Sequence, residues 1–188
     1  SALSSAAVAP GVARFSSLDE LLGANRIDVL VITTPSGLHA RQAISAAGRV
    51  PFIVVEKPMA LSLKDAQEMV GACTHSDTGL FVVKQNRYND AIQRVRLGVQ
   101  RGLLGSIHLA TCRVRWTRTR EYYDAAEWRG TRKMDGSVIW NQASHHLDLL
   151  SMFLGPVESV FAYGQSALAK VEVEDTVVGV AKFAAGRI

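Results

Sequence analysis

The sequence predicts an α/β unit built on a parallel sheet, followed by an α+β unit built on a different sheet. Apolar runs rich in β-branched residues occur at 28–33, 52–55 and 79–84, and such runs are typical of strands buried on both faces. Helical segments separate them, which is the pattern of crossover connections between parallel strands. From residue 106 onward apolar and polar residues alternate instead, which indicates a strand with two unequal faces.

In the first unit, helices are predicted at 17–22, 38–47, 63–74 and 90–101. Ser17 and Ser62 are suited to cap the first and third of these helices, because a serine hydroxyl can accept a free backbone N–H. Gly23 ends the first helix, and the Thr34–Gly37 turn separates the first strand from the second helix. Strand and helix therefore alternate along the first hundred residues.

The second unit is predicted to contain a long strand at 106–116, a helix at 141–154 and strands at 157–163 and 176–183. Glycines at 102 and 105 mark the change of pattern, so we expect a first domain at 1–103 and a second at 104–188. The prediction is a partial Rossmann-type parallel sheet, followed by part of an open, mainly antiparallel sheet domain. No Gly-x-Gly-x-x-Gly turn is found in the sequence, so we interpret the chain as an internal fragment.

Composition favours a cytoplasmic globular protein. The chain has 188 residues, of which 48% are hydrophobic and 20% charged, and its net charge is +4. Neither a secretory signal nor an apolar run of membrane-spanning length is present, so no membrane partner is expected. The two cysteines, Cys73 and Cys112, are far apart and lack metal-ligand spacing, which predicts a reducing compartment and no metal site.

Polar residues that suit chemistry follow two of the predicted strands. Glu56, Lys57 and Pro58 come directly after the strand at 52–55, and the Thr34–His39 turn follows the strand at 28–33. Open parallel sheets place ligands outside the carboxyl ends of their strands. On the predicted helix at 141–154, spacings of four and three place a second polar group, Asn141, His145 and Asp148, on one face.

These motifs resemble the glucose–fructose oxidoreductase/inositol dehydrogenase (Gfo/Idh/MocA) family. The resemblance rests on Thr34-Pro-x-x-Leu-His39, Glu56-Lys57-Pro58 and His145-x-x-Asp148, in this order. Segments at 85–89, 113–116, 121–124 and 128–131 are similar to the UDP-N-acetylglucosaminuronate 3-dehydrogenase branch. That branch uses NAD to oxidise a nucleotide sugar for cell-surface polysaccharides. Ser137 and Ala143 stand where the family commonly has glycine.

The resemblance implies a role for each matching residue. The catalytic group would be Lys57, His145, Asn141 and Asp148, with His145 as the general base and Asp148 supporting it. The cofactor-binding group would be Thr33, Thr34, Pro35, Leu38, His39, Glu56, Lys57, Asn86, Trp128 and Arg129. NAD is the expected cofactor, although the sequence leaves NADP open. The expected partners are a sugar or nucleotide-sugar substrate and further copies of the chain.

The chemistry of these residues agrees with that assignment. Oxidation of an alcohol requires its hydroxyl proton to leave as hydride moves to nicotinamide, and histidine is suited to take a proton at neutral pH. A lysine cation beside the same oxygen stabilises developing negative charge. The hydride chemistry itself belongs to the cofactor.

Two alternatives stay open at this point. Arginines and aromatic residues interleave between 113 and 133, as in surfaces that bind single-stranded nucleic acid. Acidic residues dilute that charge, and an anionic sugar nucleotide explains the arginines equally well, so we predict no nucleic-acid partner. The second alternative is a catalytically silent family remnant that only folds or associates.

Overall fold

The computed structural model describes residues 9–24 and 26–188, which form a parallel and an antiparallel sheet. The parallel sheet has the order β1-β2-β3, with β1 at Val29–Ile32, β2 at Phe52–Val55 and β3 at Gly79–Val82. Four helices belong to this unit: α1 at Leu18–Ala24, α2 at His39–Ala46, α3 at Leu63–His75 and α4 at Asp90–Gln100. The predicted parallel α/β unit is confirmed.

One face of the parallel sheet is buried and the other is exposed. Leu30 and Ile32 of β1 are buried, whereas Val29 and Val31 are 49% and 58% exposed. Right-handed crossovers between strands that follow one another in the sheet place α2 and α3 on the same side. The prediction of strands buried on both faces is therefore wrong for the described residues, since these two helices cover only one side.

The core of this unit lies between the sheet and helices α2 and α3. Ile53, Val55 and Met69 are its largest fully buried aliphatic side chains. Each contributes about 1.5–3 kcal/mol when it is buried, so β2 is held firmly in this core. As a result, the residues that follow Val55 have a fixed backbone position.

The second unit contains three helices and two strands. The helices are α5 at Arg120–Asp124, α6 at Val138–Asn141 and α7 at Ser144–Leu154, and the strands are β4 at Val157–Gln165 and β5 at Thr176–Phe183. The strands pair antiparallel, with a register irregularity between Val157 and Ser159. Within residues 9–24 and 26–188, no helix has both the length and the apolar character that a membrane crossing requires.

The segment 106–116 is irregular, whereas the sequence predicted a strand there. Among the described residues it forms two backbone hydrogen bonds with Ile188. The Ala110 N–H donates to the Ile188 oxygen at 2.9 Å, and the Ile188 N–H donates to the His108 oxygen at 3.0 Å. A strand needs a hydrogen-bonded neighbour along its length. The alternation of side chains was present, but the described chain does not supply that neighbour, so this prediction is wrong.

The predicted helix at 141–154 is divided between α6 and α7. Gln142 and Ala143 keep helical backbone angles, but the Ala143 nitrogen bonds to the Val138 oxygen five residues back, at 2.7 Å. A bond of this span widens a helix by one residue. Asn141 and His145 therefore lie on different helices rather than on one continuous face.

The two positions where the family commonly has glycine adopt ordinary backbone angles. Ser137 has a φ of −86° and Ala143 a φ of −80°, which any residue can adopt. The Ser137 hydroxyl also accepts the Ile139 N–H at 3.3 Å and so caps α6. Neither backbone requires glycine.

Candidate active site

Lys57 follows β2 and joins the two units. Its ammonium Nζ donates to the backbone oxygen of Asn141 at 2.6 Å and to Asn141 Oδ1 at 3.1 Å. Glu56 Oε2 accepts the backbone N–H of Lys57 at 3.2 Å. Because β2 fixes the backbone and Asn141 holds the side chain, the positive charge has a defined position.

The surroundings of Lys57 change its acidity. Burial lowers the pKa of Lys57 below its ordinary value, the charges of Glu56 and Asp135 oppose that effect, and the charges of Lys84 and Arg118 add to it. A partly desolvated ammonium interacts more strongly with a nearby oxygen anion than a hydrated one does. Lys57 is thus suited to stabilise an alkoxide that develops beside it.

His145 is buried on α7, where it is 6% exposed. Its Nε2 lies 3.4 Å from Nε2 of Gln85. Since an amide nitrogen is a donor, this contact favours the tautomer with its lone pair on Nε2. Burial, followed by the positive charges of Lys57 and Lys84, lowers the pKa of His145. The ring is therefore neutral at neutral pH and able to accept a proton.

The neighbours of His145 on α7 have partners of their own. The His146 ring meets Trp116 edge-on, with 5.9 Å between ring centroids. Asp148 accepts two hydrogen bonds from Arg87, from Nε at 2.6 Å and from Nη2 at 2.7 Å. The resemblance implied that Asp148 supports the histidine. In the structure its carboxylate binds Arg87, and its charge only opposes the larger effect of burial on the pKa of His145.

The turn after β1 carries the expected cofactor-binding residues Thr33, Thr34, Pro35, Leu38 and His39. Both threonines are exposed, whereas His39 is only 1% exposed. The His39 ring lies between two carbonyl oxygens, with Nδ1 2.8 Å from Pro58 and Nε2 2.7 Å from Thr34. This ring ties the turn to the segment after Lys57, so the threonines are the accessible polar groups.

Glu56 and Asn86 lie at the carboxyl ends of neighbouring strands. Val55 pairs with Val82 in the parallel register, and both polar residues follow these positions and are partly buried. Asn86 lies in a short 3-10 turn after β3. The structure thus brings Glu56, Lys57 and Asn86 to one edge of the sheet, where parallel sheets bind ligands.

Trp128 and Arg129 lie in the loop between α5 and α6. Arg129 Nη1 donates to the backbone oxygen of Tyr122 at 2.8 Å. The Arg129 guanidinium lies 4.4 Å from the centre of the Tyr122 ring and 5.7 Å from that of Trp128. The expected pair therefore forms a cation–aromatic cluster with Tyr122.

Asp135 is a residue of this site that sequence reasoning missed. It is 3% exposed and accepts the backbone N–H of Gly130 at 2.7 Å. Its other oxygen accepts a hydrogen bond from Asn141 Nδ2. Asp135 thus connects the Trp128–Arg129 loop to the residue that holds Lys57. An aspartate before glycine is equally typical of an exposed turn, so no signal in the sequence marks it.

Gln85 was also missed, although it belongs to a segment that carried the family resemblance. Its contact with His145 depends on how β3 meets α7, which no local pattern reveals. In the described part of the chain, no group of three or more His, Cys, Asp or Glu residues is placed to hold a metal ion. The polar residues gathered here suit an organic ligand with hydroxyl and anionic groups.

Comparison with known proteins places this arrangement in a family. Residues 1–83 match the oxidoreductase family with an NAD-binding Rossmann fold, and residues 92–188 match the GFO/IDH/MocA C-terminal domain. Among curated proteins, the chain is 28% identical to 1,5-anhydro-D-fructose reductase from Ensifer adhaerens, over 92% of this chain and 52% of that protein.

Two solved structures resemble the chain more strongly. The WlbA dehydrogenase from Bordetella pertussis, in complex with NADH and UDP-GlcNAcA, is 47% identical with a TM-score of 0.90, over 94% of this chain and 51% of that one. WlbA from Chromobacterium violaceum, with the same ligands, is 43% identical with a TM-score of 0.89, over 92% of this chain and 50% of that one. The chain spans about half the length of these relatives. It belongs to the Gfo/Idh/MocA oxidoreductase family.

Proposed function

We propose that the protein is an NAD-dependent dehydrogenase that oxidises a hydroxyl of a nucleotide-sugar uronate, with the C3 hydroxyl of UDP-N-acetylglucosaminuronate as the best candidate. Two relatives at 43% and 47% identity were solved with NADH and UDP-GlcNAcA, which supports this choice. The polar groups at the carboxyl edge of the parallel sheet fit a dinucleotide. They include exposed Thr33 and Thr34, and partly buried Glu56 and Asn86.

The observation that carries the proposal is the pairing of a fixed cation with a neutral, buried histidine. Lys57 Nζ is held by two oxygens of Asn141. The positive charge of Lys57 adds to the effect of burial in lowering the pKa of His145. An alcohol oxygen placed between these groups has a proton acceptor and a charge stabiliser at hand.

This geometry gives each residue a separate role in the reaction. His145 Nε2 takes the hydroxyl proton, while Lys57 stabilises the negative charge that develops on the oxygen. The Asn141 oxygen Oδ1 holds the ammonium in place. The nitrogen Nδ2 of the same amide donates to the Asp135 carboxylate, which fixes its orientation. Bound NAD would supply the acceptor for the hydride that leaves the sugar carbon as the carbonyl forms.

The direct test is formation of NADH by the full-length protein. We expect NADH to accumulate with UDP-N-acetylglucosaminuronate and NAD, and more slowly with UDP-N-acetylglucosamine, which lacks the carboxylate. Replacing NAD by NADP should lower the rate. A folded protein that forms NADH with none of the nucleotide sugars would contradict the proposal.

We further propose a cytoplasmic homo-oligomer that works without a nucleic-acid partner. The exposed thiol of Cys112 is typical of a reducing compartment. Large apolar side chains of the β4–β5 hairpin are exposed, including Phe161 at 61% and Val178 at 70%, and such a face favours association. Sedimentation velocity of the full-length protein should show a species larger than a monomer, and a single monomer peak at high concentration would contradict this.

A further inference from the structure

Arg118 is a cation that forms no salt bridge with the described residues. It is partly buried, and its guanidinium carbon lies 4.8 Å from the centre of the Tyr122 ring. Its Nε is fully buried without a hydrogen-bond partner among the described residues. A buried N–H group without an acceptor is costly, so its presence needs an explanation.

The segment that carries Arg118 contacts α7. Trp116, two residues earlier, packs edge-on against His146, which is adjacent to His145. Arg118 then meets Tyr122, and the Arg129 guanidinium lies 4.4 Å from the centre of the same ring. Arg129 Nε is likewise buried and without a partner in the described chain. Two guanidinium groups thus share one aromatic ring.

Electrostatics support a position of Arg118 near Lys57. After burial and the charges of Glu56, Asp135 and Lys84, the charge of Arg118 is a further influence on the pKa of Lys57, which it lowers. Arg113 and Arg115, in the same segment, are exposed. Arg118 is therefore distinguished from its neighbours by its burial and by its proximity to the lysine.

We propose that Arg118 forms an oxyanion-binding subsite near Lys57 that takes a carboxylate or diphosphate group of the substrate. This deepens the proposed function and rests on it. A guanidinium offers paired N–H donors that match the oxygens of carboxylates and phosphates. Stacking on Tyr122 fixes the plane of those donors, so the subsite orients the anion as well as attracting it.

Titration calorimetry on the full-length protein saturated with NADH tests this proposal. Arg118→Gln removes the charge and keeps a polar side chain. Arg115→Gln is the matched control, since it removes an exposed charge three residues away. The probes are UDP-N-acetylglucosaminuronate, with carboxylate and diphosphate, and UDP-N-acetylglucosamine, with diphosphate alone. Losing one charge-assisted hydrogen bond should weaken binding about ten- to hundredfold.

The pattern of losses identifies the anion. If Arg118→Gln weakens only the uronate, the subsite binds the carboxylate; an equal loss with both probes assigns it to the diphosphate. Binding of both probes by Arg118→Gln as tight as by Arg115→Gln overturns the proposal. Arg118→Lys, which keeps the charge, should recover part of the affinity, and thermal unfolding shows whether each variant is folded.

Free anions separate this proposal from the proposed function. If the wild-type protein binds neither nucleotide sugar, the proposed function is wrong and the subsite is judged with glucuronate and inorganic pyrophosphate. Weaker binding of either anion by Arg118→Gln than by Arg115→Gln supports the subsite. No difference between the variants, or no binding of either anion by wild type, overturns it.

Discussion

Asp135, Asn141 and Lys57 form one hydrogen-bonded chain, and their order determines what each contributes. The Asp135 carboxylate binds Asn141 Nδ2, which turns the amide so that Oδ1 faces the ammonium of Lys57. A buried carboxylate at the start of such a chain fixes the amide more firmly than a neutral group would. Under the proposed function, Asp135 is thus a positioning residue, which would act on the reaction through Asn141 and through its charge.

Asp135→Asn should lower turnover by about tenfold, the usual effect of losing one hydrogen bond of this kind. It should also change the pH profile. Burial lowers the pKa of Lys57 and the Asp135 charge opposes that effect, so removing the charge lowers the pKa of Lys57 further. The loss of activity at alkaline pH, as Lys57 gives up its proton, then begins at lower pH.

The control for this variant is Asp124→Asn, the same substitution at an exposed aspartate that pairs with Arg120 on α5. Its pH profile should match that of the wild-type protein. A merely structural role for Asp135 would lower thermal stability without moving the alkaline limb, and that result would refute the positioning role.

The two adjacent histidines of α7 should respond differently to substitution. His145→Ala removes the proposed proton acceptor and should lower turnover by about 10²–10⁴-fold. His146 packs against Trp116 instead, so His146→Ala should cost less than about tenfold. The test is the turnover number of both variants with NAD and the UDP-uronate. A large loss with His146→Ala alone would make His146, and not His145, the proton acceptor.

Among the secondary-structure elements, those fixed by local chemistry were predictable and those fixed by partners were not. Strand β2 was predicted at its observed bounds, and Ser62 caps α3 by accepting the Asp65 N–H at 3.1 Å. The segment 106–116 has the alternation of a strand but lacks the neighbour that would make it one. The break between α6 and α7 depends on how that turn sits against Lys57, which periodicity does not reveal.

The same distinction applies to the candidate site. Lys57 was marked by its place at a strand end. Asn141 and His145 were marked by a helix spacing that the structure divides between α6 and α7. Arg118 and Asp135 lie in the irregular segments before and after α5, where no period relates one side chain to the next. Their positions follow from tertiary contacts. The sequence therefore marked Arg118 only as a member of a basic, aromatic stretch and did not mark Asp135.

Gly37 shows how tightly the turn after β1 is docked against the second unit. Its N–H donates to the Met134 oxygen at 3.0 Å, and a Cβ at this position would lie 2.1 Å from the Lys133 backbone oxygen. Gly37→Ala forces one of the two backbones to move, which we expect to cost about 1–3 kcal/mol of unfolding free energy.

Urea unfolding measures this cost, and Gly71→Ala is the matched control. A Cβ on Gly71, inside α3, would meet no atom within 4 Å. Alanine there should stabilise the protein by about 0.5–1 kcal/mol, because glycine is a poor helix former. If Gly37→Ala were as stable as wild type, the close docking of the turn would be wrong.

Across the whole molecule, the parallel unit and the second unit meet at several polar contacts around the candidate site. Lys57 donates a hydrogen bond to Asn141, and Gly37 donates one to Met134. Arg87, in the turn after β3, donates two hydrogen bonds to Asp148 on α7. These contacts set the distance between the sheet edge, where a dinucleotide would lie, and the helix that carries His145. The domain boundary at 103/104 stays a prediction.

A double-mutant cycle on Arg87→Gln and Asp148→Asn tests whether the pair stabilises this arrangement. The Arg87 side chain is 44% exposed and that of Asp148 is 13% exposed, so solvent screens the pair in part. We expect a coupling energy of about 1 kcal/mol, at the upper end for exposed pairs because the geometry is bidentate. Arg94→Gln on α4 is the control, and a coupling energy near zero would show that the pair does not join the units.

The central claim is that Lys57 stabilises the alkoxide formed when His145 takes the sugar proton. Its most direct test is the turnover number of Lys57→Met in the full-length protein, with saturating NAD and UDP-N-acetylglucosaminuronate. We expect a loss of about 10³-fold. We also expect the acid limb to move to higher pH, because the Lys57 charge adds to burial in lowering the pKa of His145. Turnover within tenfold of wild type, with an unmoved acid limb, would contradict the claim.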